Sequence, residues 1–394
     1  MQGPISAIDN DQYKFSMQNG VVKLFPREIV RYEFFNRGKH EFPDGFAKLL
    51  RELVDMYAAI TFVKDDIDFF REKAYYFDPA YHSFLRGYRY DPSEVKIIQE
   101  GYNLQVIVEG LWHKTILWEV PLMALICELY YEMTKQQPKD RKEREQINKE
   151  KVIALTKLLI KAAEFGTRRR FSFINQKEFL IDAITYGNFA GHKLLSGTSN
   201  VYFARELDLL SIGTQAHEWY MFHAAKYGFR MANLLGMENW VKVYNGDLGI
   251  VLPDTFTTDA FLKSFNTMFA KLFDGSRQDS DCPFAYTDKF VKHYRDLKIP
   301  SQHKTIVYSD GISSVKTVSD IKEYATGKVQ DGYGIGTWFT NDVGLKPMNI
   351  VIKMTAAFIN GVWVPTIKLS DAATKNTGDQ IQIGIAKHEL GINV

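Results

Sequence analysis

Two rhythms of apolar and polar positions divide the chain. In the first, REIVRYEFF (residues 27–35) and NLQVIVEGLW (103–112) alternate and are rich in β-branched and aromatic residues, which predicts strands. Between them FAKLLRELVDMYAAI (46–60) repeats apolar residues at helical spacing and predicts a helix. This mixture runs to about residue 130. It is followed by TKQQPKDRKEREQINKEK (134–151), a dense run of both charge signs. Alternating signs predict a solvated helix or connector rather than an interaction tail.

The second rhythm sets short apolar or glycine-bearing stretches, each ending in polar residues, ahead of helical segments. HKLLSGTS precedes NVYFARELD, SIGTQAH precedes EWYMFHAAKYG, and LGIVLPDTF precedes TTDAFLKSFNTMFA. LFDGSRQDS then precedes TDKFVKHYRDL, and KTIVYSD precedes SSVKTVSDIKEYA. Strands alternating with helices indicate parallel βα units. Five in succession, with neither a Rossmann nor a Walker A fingerprint, favour a barrel over an open sheet. The last stretch, NIVIKMTAAFINGVWVPTIKLS, returns to a hairpin pattern with Asn-Gly at its turn. The expected fold is α/β. An irregular α/β barrel over 131–344 is joined by an α+β domain made of 1–130 and completed by 345–394.

In a barrel the polar residues that end the strands face the active mouth. Here they are Ser199, Thr214, His217, Asp254, Arg277, Asp279 and Asp310. DGYGIGT (331–337) is a candidate phosphate cradle, in which Gly334 and Gly336 let backbone N–H groups converge and Thr337 adds a hydroxyl. The same string also suits a flexible turn. On one strand, Arg277 and Asp279 share a face and can hold a ligand, or form a surface ion pair. EFGTRRRFSF supplies aromatics and three arginines, and guanidinium forks suit a phosphorylated ligand. His217, taken alone, reads as a structural histidine. It lacks the H-E-x-x-H spacing of a metal site, so no protein-borne metal is expected.

Composition narrows the class. A hydrophobic share of 45% with 24% charged residues suits a folded soluble chain. The net charge of +2 offers no lopsided basic balance for nucleic acid. Two distant cysteines, Cys127 and Cys282, exclude a disulfide framework and fit a reducing compartment. The N-terminal MQGPISAIDNDQYKF has no apolar core for a signal peptide, and ILWEVPLMALIC is too short to span a bilayer. The expectation is a cytoplasmic protein with neither nucleic-acid nor membrane partners.

Several motifs in fixed order are more specific than any one. DNDQYKFSM, YEFFNRG, FGTRRR, LSGTSNV, GTQAHEW, GSRQDSDCP, YSDGI, DGYGIGTWFTNDV, KPMNIVIK and KLSD cover nearly the whole length. Together they resemble the bacterial nicotinate phosphoribosyltransferases of the type II phosphoribosyltransferase fold. The resemblance implies synthesis of nicotinate mononucleotide from nicotinate and phosphoribosyl pyrophosphate, coupled to ATP hydrolysis, with Mg²⁺ accompanying the phosphates. It implies that His217 is the transiently phosphorylated histidine. It further implies a homodimer with shared sites, in which Tyr13 and Arg37 serve the neighbouring subunit. Tyr13 and Phe165 resemble the aromatics on either face of the pyridine ring, and Arg277 and Thr214 the groups that hold nicotinate. Arg168 and Arg37 resemble phosphate contacts, and Asp279 and Asp310 sugar-side contacts. Gly334, Gly336 and Thr337 resemble the 5′-phosphate cradle, and Lys353 and Lys368 pyrophosphate contacts. One departure stands out: the family's usual D-S-G reads Asp279-Ser280-Asp281 here.

The nearest alternative, nicotinamide phosphoribosyltransferase, resembles GTDT where this chain has GTSN. An aspartate at that position would repel a carboxylate substrate by about 1 kcal/mol at 4 Å in water and several times more in a closed site. The neutral Ser199 therefore favours nicotinate. A non-catalytic phosphoribosyl pyrophosphate sensor is the other alternative, and it would have no use for a phosphorylatable histidine.

Overall fold

The computed structural model describes residues 3–372 and 376–392. The chain forms two units. One takes in Met1–Asn19, Arg31–Gly213 and Gly334–Lys353, and the other Gly20–Val30, Thr214–Tyr333 and Met354–Val394. Strand β1 (Ile29–Asn36) begins in the second unit and continues in the first.

In the first unit, β2 (Val95–Glu100) and β3 (Asn103–Leu111) pair antiparallel, from Val95 opposite Val108 to Glu100 opposite Asn103. The alternation of apolar residues buries Leu104, Val106 and Val108 on one face of β3. The helix Phe46–Asp55 buries Phe46, Leu50 and Val54, one turn apart. Strand β4 (Ala162–Glu164) lies parallel to β5 (Leu195–Thr198), with the 17-residue helix Phe173–Phe189 between them in sequence.

The second unit holds β6 (Ile250–Val251), β7 (Gly275–Gln278) and β8 (Thr305–Tyr308), each parallel to the next. Strand β9 (Gln330–Ile335) pairs parallel with β8 through Tyr333 and then enters the first unit. There the Phe165 N–H donates to the Ile335 carbonyl at 2.8 Å. Gly275 is required for close approach, because a Cβ there would lie 1.9 Å from the Thr305 carbonyl oxygen. Strand β10 (Ile350–Ile359) forms a hairpin with β11 (Val362–Pro365). Asn360 and Gly361, at φ of 51° and 87°, make the turn with both residues left-handed, as Asn-Gly prefers. The class is α/β, an irregular barrel of parallel βα units with a second α+β part.

Two expectations need correction. SIGTQAH forms no strand among the described residues. Ser211 makes only one isolated bridge to Thr198, and a Cβ on Gly213 would sit 2.6 Å from the Tyr13 nitrogen. Ile212 is the only large apolar residue there, too little for a buried strand. The charged run does become helix Arg141–Lys157, but only part of it is solvated. Arg144, Asn148, Lys151 and Leu155 recur at helical spacing, and the last three are buried. Here the inward face is largely polar, so apolar periodicity could not reveal it.

Candidate active site

In the second unit the side chains beyond the strand ends converge on His217, the first residue of the helix His217–Tyr227. Asp254 and Thr255 come from the turn after β6, Asp279 and Ser280 follow β7, and Lys368 lies in the segment beyond β11. Thr255 Oγ1 is 3.0 Å from the ring Nδ1. On the other side, Nε2 is 2.9 Å from Asp279 Oδ2 and 3.0 Å from Lys368 Nζ. Lys368 also donates to Asp254 Oδ2 at 3.0 Å, and Ser280 donates to the same oxygen at 2.8 Å. Arg277 pairs with Asp279 Oδ1 at 3.0 Å, and the Ser309 hydroxyl donates to that oxygen at 3.2 Å.

Burial, aided by the Lys368 ammonium, pushes the His217 imidazole down to about 4. The ring is therefore neutral at physiological pH. Burial works against the charge on Asp279, but the Arg277 guanidinium, the His217 hydrogen bond and the Lys368 ammonium together outweigh it and hold the carboxyl well below the usual range. Burial likewise opposes ionisation of Asp254, and His217, the Lys368 ammonium and the Ser280 hydroxyl together hold its carboxyl below the usual range. Asp254 is 1% exposed, and among the described residues its Oδ1 has no hydrogen-bond partner, with His217 Nε2 3.8 Å away. Ligand atoms of His217, Asp254 and Asp279 all lie within 4.8 Å of one another. Lys368 supplies a cation beside this group.

An unfolded histidine takes up a proton below about pH 6.5, which the folded site refuses until about pH 4. This group's contribution to stability is thus complete above pH 6.5 and lost as pH falls. In ¹⁵N spectra His217 should show no titration between about pH 8 and 6. A midpoint near 6.5 would contradict the desolvated, Lys368-paired ring.

The first unit gathers a different set. The Ser199 hydroxyl, 3% exposed, donates to Asp11 Oδ1 at 2.8 Å. Burial raises the Asp11 carboxyl despite that bond and the Arg168 charge. Arg168 is 3.4 Å from Glu119 and 5.7 Å from the centre of the buried Tyr13 ring. Lys14 pairs with Glu119 at 2.5 Å. Burial would raise the Glu119 carboxyl, but Lys14, Arg168 and Lys353 together bring it to about 2. Lys353 is thus electrostatically part of the group. Phe165 is half-buried, and its carbonyl would lie 3.5 Å from a Cβ on Gly336, next to Thr337. Arg37 is exposed in a turn clamped by Asn36, whose side chain bonds both the N–H and the carbonyl of His40.

The remaining candidates belong to the second unit. Thr214 donates to the Ile250 carbonyl at 2.8 Å, and Asp310 is half-buried just past β8. Lys368 is 6% exposed, with its ammonium committed to His217 and Asp254. Thr255, Glu119 and Lys14 escaped the sequence reading, because single polar residues show no periodicity; Ser280 was visible only as a neighbour of Arg277 and Asp279 in their motif. Asp254 carried one signal, its place at a strand end.

Asp281 stands where the resemblance implies a glycine. Its φ of +66° lies in the left-handed region, and its carbonyl accepts from Gln278 Nε2 at 2.9 Å. Aspartate tolerates this conformation better than most residues, at modest strain. Asp281→Gly should change unfolding free energy by less than about 1 kcal/mol and leave turnover within about twofold. Asp281→Val should cost about 1 to 2 kcal/mol in urea titrations. Equal stability of the valine variant would show that the strain is absent.

Parallel βα units whose strands end in a cluster of ionisable side chains define an α/β-barrel enzyme. Residues 160–393 match the Nicotinate phosphoribosyltransferase (NAPRTase) family and residues 8–127 match its N-terminal domain. The chain belongs to the nicotinate phosphoribosyltransferase family. It is 46% identical over 389 residues to the nicotinate phosphoribosyltransferase of Chromohalobacter salexigens, covering 98% of each chain. The crystal structure of nicotinate phosphoribosyltransferase from Porphyromonas gingivalis superposes with a TM-score of 0.93 at 36% identity, over 99% of this chain and 100% of that one. That of Vibrio cholerae gives 0.92 at 31% identity, over 99% of this chain and 94% of that one. Among the described residues no helix is long and apolar enough to cross a membrane.

Proposed function

We propose that the protein joins nicotinate to phosphoribosyl pyrophosphate, giving nicotinate mononucleotide and pyrophosphate. The pyridine nitrogen forms a bond to the anomeric carbon as the bond to the pyrophosphate oxygen breaks. Positive charge builds on the sugar and negative charge on the leaving group, so basic residues and substrate-borne Mg²⁺ assist departure. The observation that carries the reading is the buried neutral imidazole of His217, held between Thr255, Asp279 and Lys368.

When Nδ1–H donates to Thr255, Nε2 carries the lone pair and accepts from Lys368; once that ammonium turns to the incoming phosphate and Asp279 swings aside, Nε2 attacks the γ-phosphorus of ATP. An N–P bond forms, ADP leaves, and water later cleaves the phosphohistidine. Lys368 lies beside the attacking nitrogen and offsets the incoming phosphoryl charge. Retaining such a histidine sets the chain apart from a passive sensor. The cytoplasmic location belongs to the same proposal.

Nicotinate over nicotinamide follows from Ser199. Its hydroxyl already bonds a buried carboxylate, so an aspartate there would place two carboxyl groups together. Ser199→Asp should lower the nicotinate-to-nicotinamide ratio of kcat/KM by about tenfold or more. An unchanged ratio would remove residue 199 from substrate selection.

Assembly is proposed as a two-fold homodimer with Tyr13 and Arg37 serving the partner's site. Tyr13→Ala and Arg277→Ala homodimers should each be nearly inactive. Co-expressed in equal amounts, half the dimers are mixed and carry one intact site, recovering about a quarter of wild-type activity. No recovery, with mixed dimers confirmed by native mass spectrometry, would place Tyr13 outside the partner's site.

A further inference from the structure

The helix Arg141–Lys157 carries the mixed charges of the middle region, yet Lys151 is among its buried residues. Its ammonium donates to the Trp338 carbonyl and, at 2.9 Å, to Asp342 Oδ2. It also lies 5.0 Å from the Trp338 ring centre and 5.9 Å from that of Phe179. Trp338 directly follows Thr337 in the glycine-bearing stretch at the end of β9, with Gly334 and Gly336, and Asp342 lies four residues further on. Burial lowers the Lys151 ammonium, and Asp342 supports its charge.

The rest of this segment is bolted down on the same side. Phe339 stacks on Phe179 with ring centres 4.3 Å apart. The Thr340 hydroxyl donates to the Gly166 carbonyl at 3.1 Å, and its own carbonyl accepts from Asn175 Nδ2 at 2.7 Å. Asn341 donates to the Arg169 carbonyl at 2.8 Å. Lys151 is the cationic member of this anchorage, and it holds the residue directly after Thr337. A loop that must present N–H groups to a phosphate gains from being fixed before the ligand arrives.

We propose that Lys151 is a positioning residue for the phosphate cradle at 334–337, setting affinity for the phosphoribosyl substrate without touching it. This rests on the reading of that stretch as the 5′-phosphate site. Lys151→Met keeps the length and removes the charge. It should raise KM for phosphoribosyl pyrophosphate by about tenfold, with kcat and the nicotinate KM within about twofold. Lys151→Arg should recover part of the loss, because it restores the donors to Trp338 and Asp342. Asp342→Asn, which removes only one charged acceptor, should raise the same KM by about threefold and keeps the test alive if the methionine variant does not fold.

Thr337→Val separates the two layers of the argument. If it leaves KM for phosphoribosyl pyrophosphate unchanged, the cradle reading itself fails. If Thr337→Val raises that KM while folded Lys151→Met and Asp342→Asn do not, the positioning role alone fails. Equal losses in both substrates' kcat/KM, tracking the fraction of folded protein, would reduce Lys151 to a purely structural group and also overturn the proposal.

Discussion

His217→Ala is expected to abolish ATP-stimulated turnover and ATP hydrolysis while leaving a slow, ATP-independent transfer. The phosphate on His217 is not passed to product; it acts by coupling to substrate affinity. Such couplings are typically worth 5- to 150-fold, so kcat/KM in the presence of ATP should fall by about ten- to a hundredfold. The ring has the required state, since burial and Lys368 keep it neutral. With γ-labelled ATP, acid-labile and base-stable label should appear on the wild-type protein and be absent from the variant. Equal labelling of the alanine variant would move the phosphoryl acceptor elsewhere.

Lys368→Met should produce the largest loss of stability among single substitutions in the second unit. The ammonium lies 3.0 Å from both His217 Nε2 and Asp254 Oδ2, at a site where Asp254 and Asp279 are both held ionised. Removing one partner from a buried ionic group leaves uncompensated charge and costs about 3 to 5 kcal/mol. The loss should be visible in denaturant unfolding. Pairing it with Asp254→Asn removes one stranded carboxylate, so the double variant should regain about 1 to 2 kcal/mol over Lys368→Met alone. Strictly additive losses would show that the two side chains are not coupled. Without the ammonium, His217 should also become more basic, because Lys368 is one of the groups holding it down. Labelling by ATP should then weaken as pH falls through neutrality.

Much of the architecture was legible in the chain because it is written in repeating patterns. The alternation through 103–112 and the helical spacing through 46–60 required little more than counting. Asn360-Gly361 specified its own turn through backbone sterics. What stayed hidden is non-periodic. Lys151 lies in a run that reads as solvated, and only the fold shows that one face of that helix buries polar groups. The Lys368 motif suggested a phosphate ligand, whereas its ammonium is enclosed with an imidazole and a carboxylate from distant parts of the sequence. Ser199 read as merely neutral, and its bond to Asp11 joins residues 188 positions apart. The strand expected within SIGTQAH failed for a tertiary reason, since Gly213 lies against the backbone of Tyr13, 200 positions away in sequence. Asp281 shows the converse case. A family difference visible in the sequence acquired a physical cause only when its left-handed φ was known.

The central claim is tested most directly by incubating the pure protein with labelled phosphoribosyl pyrophosphate and either nicotinate or nicotinamide, with and without ATP, and identifying the nucleotide by mass. Nicotinate should yield nicotinate mononucleotide and one equivalent of pyrophosphate, faster with ATP. Product from nicotinamide alone, or stable binding of phosphoribosyl pyrophosphate with no nucleotide from either pyridine, would contradict the account.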